Sequence, residues 1–227
     1  DIGIAMGITG TDVAKSVAKA TLVDDNFATI VNAIETGRNI YDSLIRSAKF
    51  FLSCNSGEIF SVIFSLLLSF PIPLIPLQLL LMNMLTDNLP ALGLGFESPE
   101  EKVMKRMPRD PKESPLSNKL LISIVIFGLI MGIGTIYLFA EYKDINLEKA
   151  RTIAFTTLVM FQMFAVVSSR TLQPSFKHLN LFSNPWLFGS ICLAVLIHIA
   201  VIYYAPLQAV FGTVSLSATE WMKIIGV

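Results

Sequence analysis

Five stretches of this chain, 46–70, 74–95, 120–140, 152–169 and 186–204, are apolar over lengths close to the roughly 20 residues a helix needs to cross a bilayer. No other feature restricts the fold as strongly. In lipid every backbone N–H and C=O must find its partner inside the protein, and long uncharged runs achieve that as helices. A further run, 218–227, reads as the start of a sixth. The expected fold class is mainly α: a polytopic helical membrane protein, a long bundle of five complete transmembrane helices plus the start of a sixth, with a small N-terminal α/β piece. The charge content agrees. Only 15% of residues are charged, where soluble domains carry about 25%. The 17 basic and 17 acidic residues cancel, so no field for nucleic acid exists and the expected partner is the lipid bilayer.

The first 45 residues are of a different character. "DIGIAMG" alternates, with Ile2, Ile4 and Met6 on one face, and reads as a strand. Thr11 or Asp12 caps a helix expected through Lys19, and "ATLV" (20–23) is a second short strand. Strand, helix and strand in that order form the tail of an α/β domain. Helical spacing follows over 27–45, and Gly37-Arg38 is the one obvious hinge before the first apolar run. Cys54 and Cys192 both sit in apolar runs and read as small buried side chains.

Basic residues in short loops set the orientation. The loop at 96–119 holds six Lys or Arg, and 170–185 holds Arg170 and Lys177, whereas 70–73 and 205–217 hold none. Residues 1–45, 96–119 and 170–185 are therefore expected on the cytoplasmic side. The loop at 141–151, with Lys143, Lys149 and Arg151, runs against this rule.

Polarity inside the apolar runs is concentrated. The first run contains "SCNSGE" (53–58) and the second "NMLTDN" (83–88); the fourth has Gln162 and the fifth His198. A carboxylate at mid-membrane costs about 2.5–3.5 kcal/mol on insertion scales, so Glu58 and Asp87 on adjacent helices require protons or a cation between them. Asn83 and Asp87 are spaced i, i+4 with Thr86 beside them, and Asn55 and Glu58 are spaced i, i+3. Carboxylate, amide and hydroxyl oxygens suit a hard cation such as Ca²⁺ better than zinc or copper. Pro90 removes a helix hydrogen bond and frees a carbonyl near residue 86, Gly57 loosens the first run, and Pro76 acts like Pro90 near the other end. Ser53, Ser56, Thr86 and Asn88 taken singly are equally consistent with helix-to-helix hydrogen bonding, and His198 with a structural role. Gly128 and Gly132 form a GxxxG that lets one helix approach another.

"SCNSGE", "PLQLLLMNMLTDNLPALGLGFE" and "MPRDPKESPLS", with "DIGIAMGITGTDVAKSVAKATLVDDNFATIVNAIETGR" before them, resemble the C-terminal part of P-type cation-transporting ATPases, in particular the calcium-pump branch of the sarcoplasmic-reticulum type and its bacterial relatives. The resemblance implies that 1–38 is the tail of the phosphorylation domain and that 39–227 is the C-terminal transmembrane domain. It implies metal ligands at Asn55, Glu58, Asn83, Thr86, Asp87 and Gln162, with Gln162 where two-site pumps carry glutamate. It further implies Ca²⁺ as the transported ion, with ATP and Mg²⁺ held by parts absent from this chain: the actuator, nucleotide-binding and phosphorylation domains and four earlier transmembrane helices. A chain without the phosphorylated aspartate is expected to be inactive by itself. The implied setting is a multi-pass protein of a prokaryotic plasma membrane. Pumps for Mn²⁺, Na⁺, K⁺ or H⁺, and a secondary cation/proton exchanger, are the alternatives.

Overall fold

The computed structural model describes residues 2–97, 103–108, 114–171 and 183–227. The chain divides into two compact units, Asp1–Asp42 with Pro99–Pro108, and Ser43–Ser98 with Arg109–Val227. They are taken in turn.

In the first unit, β1 (Ile4–Met6) pairs in parallel with β2 (Ala20–Leu22), Ala5 opposite Thr21. The crossover carries α1 (Asp12–Val17), capped by the Thr11 hydroxyl, which accepts from Ala14 N at 3.2 Å. It ends two residues short of Lys19. Gly7 and Gly10 permit this tight packing: a Cβ on Gly10 would lie 2.1 Å from the Met6 carbonyl oxygen. Asp25 sits at φ 50° and clamps the turn between strand and helix. Its Oδ1 accepts from Ile8 N (2.9 Å) and its Oδ2 from Thr9 N and Oγ1 (both 2.7 Å). Those bonds hold the exposed Asp25 carboxyl at about 2, below its ordinary 3.8. Ile4, Val13, Val17 and Val23 stay exposed, an apolar surface that an α/β sheet normally covers. Arg38 reaches a 3-10 turn at Val103–Lys105, donating to the carbonyls of Val103 (2.8 Å) and Arg106 (2.9 Å), while Arg106 pairs with Asp42 at 2.8 Å.

The next helix, α2, runs from Phe27 to Leu67 without interruption. Gly37 lies inside it and no hinge forms there. A single glycine lowers helix stability without breaking the hydrogen-bond ladder. Gly57 is likewise helical; the Met131 side chain fills the space its Cβ would need.

Among the described residues, every element of the second unit is a helix. The second apolar run is not one helix but three pieces: α3 (Pro76–Leu81), a π-helix (Met82–Thr86) and α4 (Asn88–Gly95), joined at Asp87. Then come α5 (Asn118–Tyr142), α6 (Leu147–Ser169), α7 (Pro185–Tyr203), α8 (Ala205–Phe211) and α9 (Ala218–Gly226). Helices α2, α5, α6 and α7 are each long and apolar enough to cross a membrane. Pro76 stands in the first turn of α3, where a missing N–H is harmless, so it starts a helix instead of breaking one.

Glycine lets α5 approach α2 closely. A Cβ on Gly128 would come within 2.5 Å of Ser56 Cβ, and one on Gly132 within 2.7 Å of Phe60 Cβ. The α6 helix is the most enclosed, with Ile153, Ala154, Phe155, Leu158, Val159 and Val166 buried. The reverse holds outside, where Leu66, Leu80, Leu92, Ile126, Ile130, Phe164 and Leu196 are exposed. A shell of large apolar side chains around an interior that also holds buried polar groups is the pattern of a helix bundle in lipid. Cys192 belongs to that shell and is exposed; only Cys54 is buried.

Candidate cation site

Three helical elements bring polar atoms together inside this shell. The α2 helix contributes Cys54 and Glu58; the π-helix and its junction contribute Asn83, Thr86 and Asp87; α6 contributes Gln162. Glu58, Thr86, Asp87 and Gln162 are all buried. Glu58 is the hub. Its Oε2 accepts from Asn83 Nδ2 and its Oε1 from Gln162 Nε2, each at 3.2 Å. Gln162 Oε1 lies 3.3 Å from the Thr86 hydroxyl, which also points to the Met82 carbonyl at 3.0 Å. One hydroxyl proton cannot fully serve both acceptors, so the Gln162 amide oxygen is only partly satisfied.

Asp87 differs from its neighbours. Both of its carboxylate oxygens are buried and accept no hydrogen bond from the described residues. What faces them is the Cys54 thiol, a weak donor, while the nearby Glu58 carboxylate repels Asp87. An unpaired buried carboxylate is among the most costly arrangements a protein can hold. Buried polar groups are nearly always bonded, so an exception at this depth marks a place where something else completes the charge.

The π-helix creates this placement. Its ladder closes i to i+5, with Asp87 N donating to the Met82 carbonyl at 2.9 Å. Such turns recur at functional sites in helices. The interruption therefore lies one turn before Pro90. That proline occupies the first turn of α4, where no intrahelical donor is required. No periodicity in the sequence signals a π-turn; the polar cluster itself was the available clue.

Of the six ligands expected from the sequence, five converge: Glu58, Asn83, Thr86 and Gln162 are joined by contacts, and Asp87 lies next to Glu58. Asn55 does not join them; its Nδ2 donates back to the Phe51 carbonyl within α2 at 2.8 Å. Asn88 is exposed and bonds the Met84 carbonyl. His198 is buried apart from this cluster, with Nε2 3.2 Å from Thr156 Oγ1 and its ring edge-on to Phe155. The donors are oxygens, with the Cys54 sulfur beside them, and among the described residues no three His, Cys, Asp or Glu side chains gather as for a transition metal. Asn83 and Gln162 turn amide N–H groups toward Glu58. Rotating either amide by half a turn presents a carbonyl oxygen instead, so the same residues can satisfy a bare carboxylate or a cation.

Sequence reading missed the polar fixings around the site. Lys49 Nζ donates to the carbonyls of Ser168 (3.0 Å) and Thr171 (3.3 Å), tying α2 to the C-terminal end of α6. Gln78, fully buried, accepts from Ile75 N and donates to the Phe211 carbonyl. Glu97 and Arg170 pair across 73 positions. A lone polar residue at the edge of an apolar run was the only local signal for any of these.

Comparison with known proteins agrees with this architecture. Residues 71–227 match the family model described as "Cation transporting ATPase, C-terminus". The chain is 45% identical over 229 residues to the calcium-transporting ATPase of Bacillus subtilis (strain 168), covering 100% of this chain and 26% of that protein. It is 39% identical over 238 residues to calcium-transporting ATPase 1 of Bacillus cereus (strain ATCC 10987 / NRS 248), covering 97% and 27%. Human calcium-transporting ATPase type 2C member 1 is 37% identical over 228 residues, covering 100% and 25%. The chain thus spans about a quarter of the length of these curated relatives. A polar, cation-suited cluster within a lipid-facing helical bundle, matched along the whole chain to such proteins, places it: the chain belongs to the cation-transporting ATPases, of which it carries the C-terminal membrane region.

Proposed function

We propose that this chain supplies the ion-binding transmembrane helices of a P-type ATPase that exports Ca²⁺ with the energy of ATP, and that it links those helices to the phosphorylation domain. Asp87 carries this reading: a buried carboxylate with both oxygens unbonded, beside a second carboxylate and three neutral oxygen-bearing side chains. In the cycle envisaged, Glu58, Asn83, Thr86, Asp87 and Gln162 hold Ca²⁺ as cargo, with Asn55 completing the shell after its amide turns. When the ion leaves, protons take its place on Glu58 and Asp87. ATP and Mg²⁺ bind to regions outside this chain.

The unbroken α2 helix supports the coupling role, since a helix at 1.5 Å rise per residue transmits displacement along its axis. Residues 1–45, 96–119 and 170–185 are assigned to the cytoplasm, in a prokaryotic plasma membrane. The basic residues at 141–151 that run against this assignment are held by the protein. Lys143 pairs with Asp144 (2.6 Å) and lies over the Phe70 ring, Lys149 pairs with Glu220 (2.8 Å), and Arg151 donates to the Ile72 carbonyl (3.1 Å). Glutamine in place of a carboxylate at 162 favours one Ca²⁺ per cycle with proton countertransport.

The test is ATP-driven ⁴⁵Ca uptake into vesicles holding the full-length protein, with Mn²⁺ competition, for wild type and Asp87→Asn. The proposal expects uptake in the wild type and its loss in the variant. Unchanged uptake removes Asp87 from the site, and uptake of Mn²⁺ in preference to Ca²⁺ reassigns the cargo. Two calcium ions per phosphoenzyme would refute the single-ion stoichiometry.

A further inference from the structure

Ten residues beyond Asp87, just past the end of α4, a largely enclosed acid, Glu97, meets a different fate. Arg170 grips Glu97 with both arms of its guanidinium: Nε to Oε2 at 2.9 Å and Nη2 to Oε1 at 2.6 Å. The side chains are 4% and 12% exposed, so solvent screening is weak. Asn184 joins them. Its Nδ2 donates to Glu97 Oε2 and to the Gly93 carbonyl, both at 3.0 Å, while its Oδ1 caps α7 at Leu187 N. Ser183 Oγ accepts from Arg170. Gly93 allows the closeness: a Cβ there would lie 2.7 Å from Leu187 Cα.

The cluster is connected to the cation site by two short helical rods. Glu97 follows α4, whose other end is Asp87. Arg170 caps α6, eight residues beyond Gln162. A forked, bidentate contact constrains both direction and distance, unlike a point-charge pair. We propose that the Glu97–Arg170–Asn184 cluster is a positioning device. It fixes the axial register of α4 against α6 and α7, and so holds Asp87 at the height of Gln162. None of the three touches the ion. This rests on the reading of the cluster around Asp87 as the cation site.

The test uses the full-length pump with conservative variants that keep the charges. Arg170→Lys removes the fork, and Glu97→Asp withdraws the carboxylate. Each is expected to raise the Ca²⁺ concentration for half-maximal ATP hydrolysis about fivefold to tenfold, with the maximal rate within about twofold of wild type. The exchanged double variant Glu97→Arg with Arg170→Glu is expected to recover about half of that shift or more on the logarithmic scale. A lower melting temperature with unchanged calcium half-saturation would falsify the assignment and leave a purely structural tie. A fall in maximal rate without a calcium shift overturns it equally. If the wild-type pump responds to Mn²⁺ and not Ca²⁺, the proposed cargo fails, and the same titration with Mn²⁺ still reads the device.

Discussion

Glu97 and Asp87 are two acids at the two ends of one short helix, and their surroundings are opposites. Glu97 receives three hydrogen bonds from Arg170 and Asn184, and both of its oxygens are engaged. Asp87 receives none from N–H or O–H groups, is fully buried, and faces another carboxylate. The same helix thus carries a charge completed by the protein and a charge that the protein leaves incomplete. A completed ion pair fastens elements together at little net gain, because desolvation offsets the attraction. An incomplete one lowers stability and persists where function requires it.

Substitutions test that contrast directly. The largest effect is expected at Asp87: Asp87→Asn should reduce ATP-driven Ca²⁺ uptake by about a hundredfold or more, yet leave the melting temperature unchanged or higher, because it removes an unpaired buried charge. A clear drop in melting temperature would show that Asp87 is paired after all. Next comes Arg170→Gln, which strands Glu97 and should destabilise the protein by about 3–5 kcal/mol. Adding Glu97→Gln should restore much of that loss, as measured by unfolding in detergent, and failure to restore it would remove the pair from the comparison. Gly128→Ala should cost about 1–3 kcal/mol by forcing a Cβ against Ser56, independently of either acid.

The smallest effect concerns Asp25, which has its bonds but lies in solvent. The amides of Ile8 and Thr9 and the Thr9 hydroxyl depress its pKa to about 2 from 3.8. A depressed acid contributes its stabilisation in full above the ordinary value and loses it as pH falls through the lowered one. Protection of the Ile8 and Thr9 amides from hydrogen exchange, corrected for intrinsic rates, should therefore hold near pH 4 and fade toward pH 2. Fading at a higher pH would mean that the clamp is weaker than its geometry.

Where a signal is local, the sequence carries it. The alternation around Ile4 and Met6, the capping hydroxyl at Thr11 and the apolar runs at α5, α6 and α7 all lie where their periodicity puts them. Gly128 and Gly132 do meet a neighbouring helix, because small residues at that spacing have few other uses in an apolar run. Among the candidate site residues, Glu58, Asn83 and Asp87 stood out because polarity in lipid is costly enough to be conspicuous, whereas Thr86 and Gln162 were ambiguous singly and Gln162 entered through the family resemblance. Asn55 was legible as polar, but its amide bonds within its own helix, an alternative that spacing does not exclude. What stayed hidden depends on distant partners or on backbone choice. Arg170 counted only as a loop charge until Glu97, 73 residues earlier, stood against it. Gly37 looked like a hinge, yet α2 runs through it, because one glycine does not break the hydrogen-bond ladder. Pro90 drew attention to the right helix but to the wrong turn.

The turn from Met82 to Thr86 has a consequence for insertions and deletions. An α-helix advances about 100° per residue, and a π-turn accommodates one residue more than the regular ladder. Excising one residue between Met82 and Leu85 would let the ladder close as an ordinary α-helix. The flanking helices would keep nearly their mutual rotation, because the turn had absorbed the extra residue, but Asn83 and Thr86 would stand differently against Asp87. Most helices in a bundle tolerate a changed side chain better than a changed length. Here the surplus residue sets how Asn83 and Thr86 are presented beside Asp87, so the count of residues in this segment is as much a part of the site as the carboxylates.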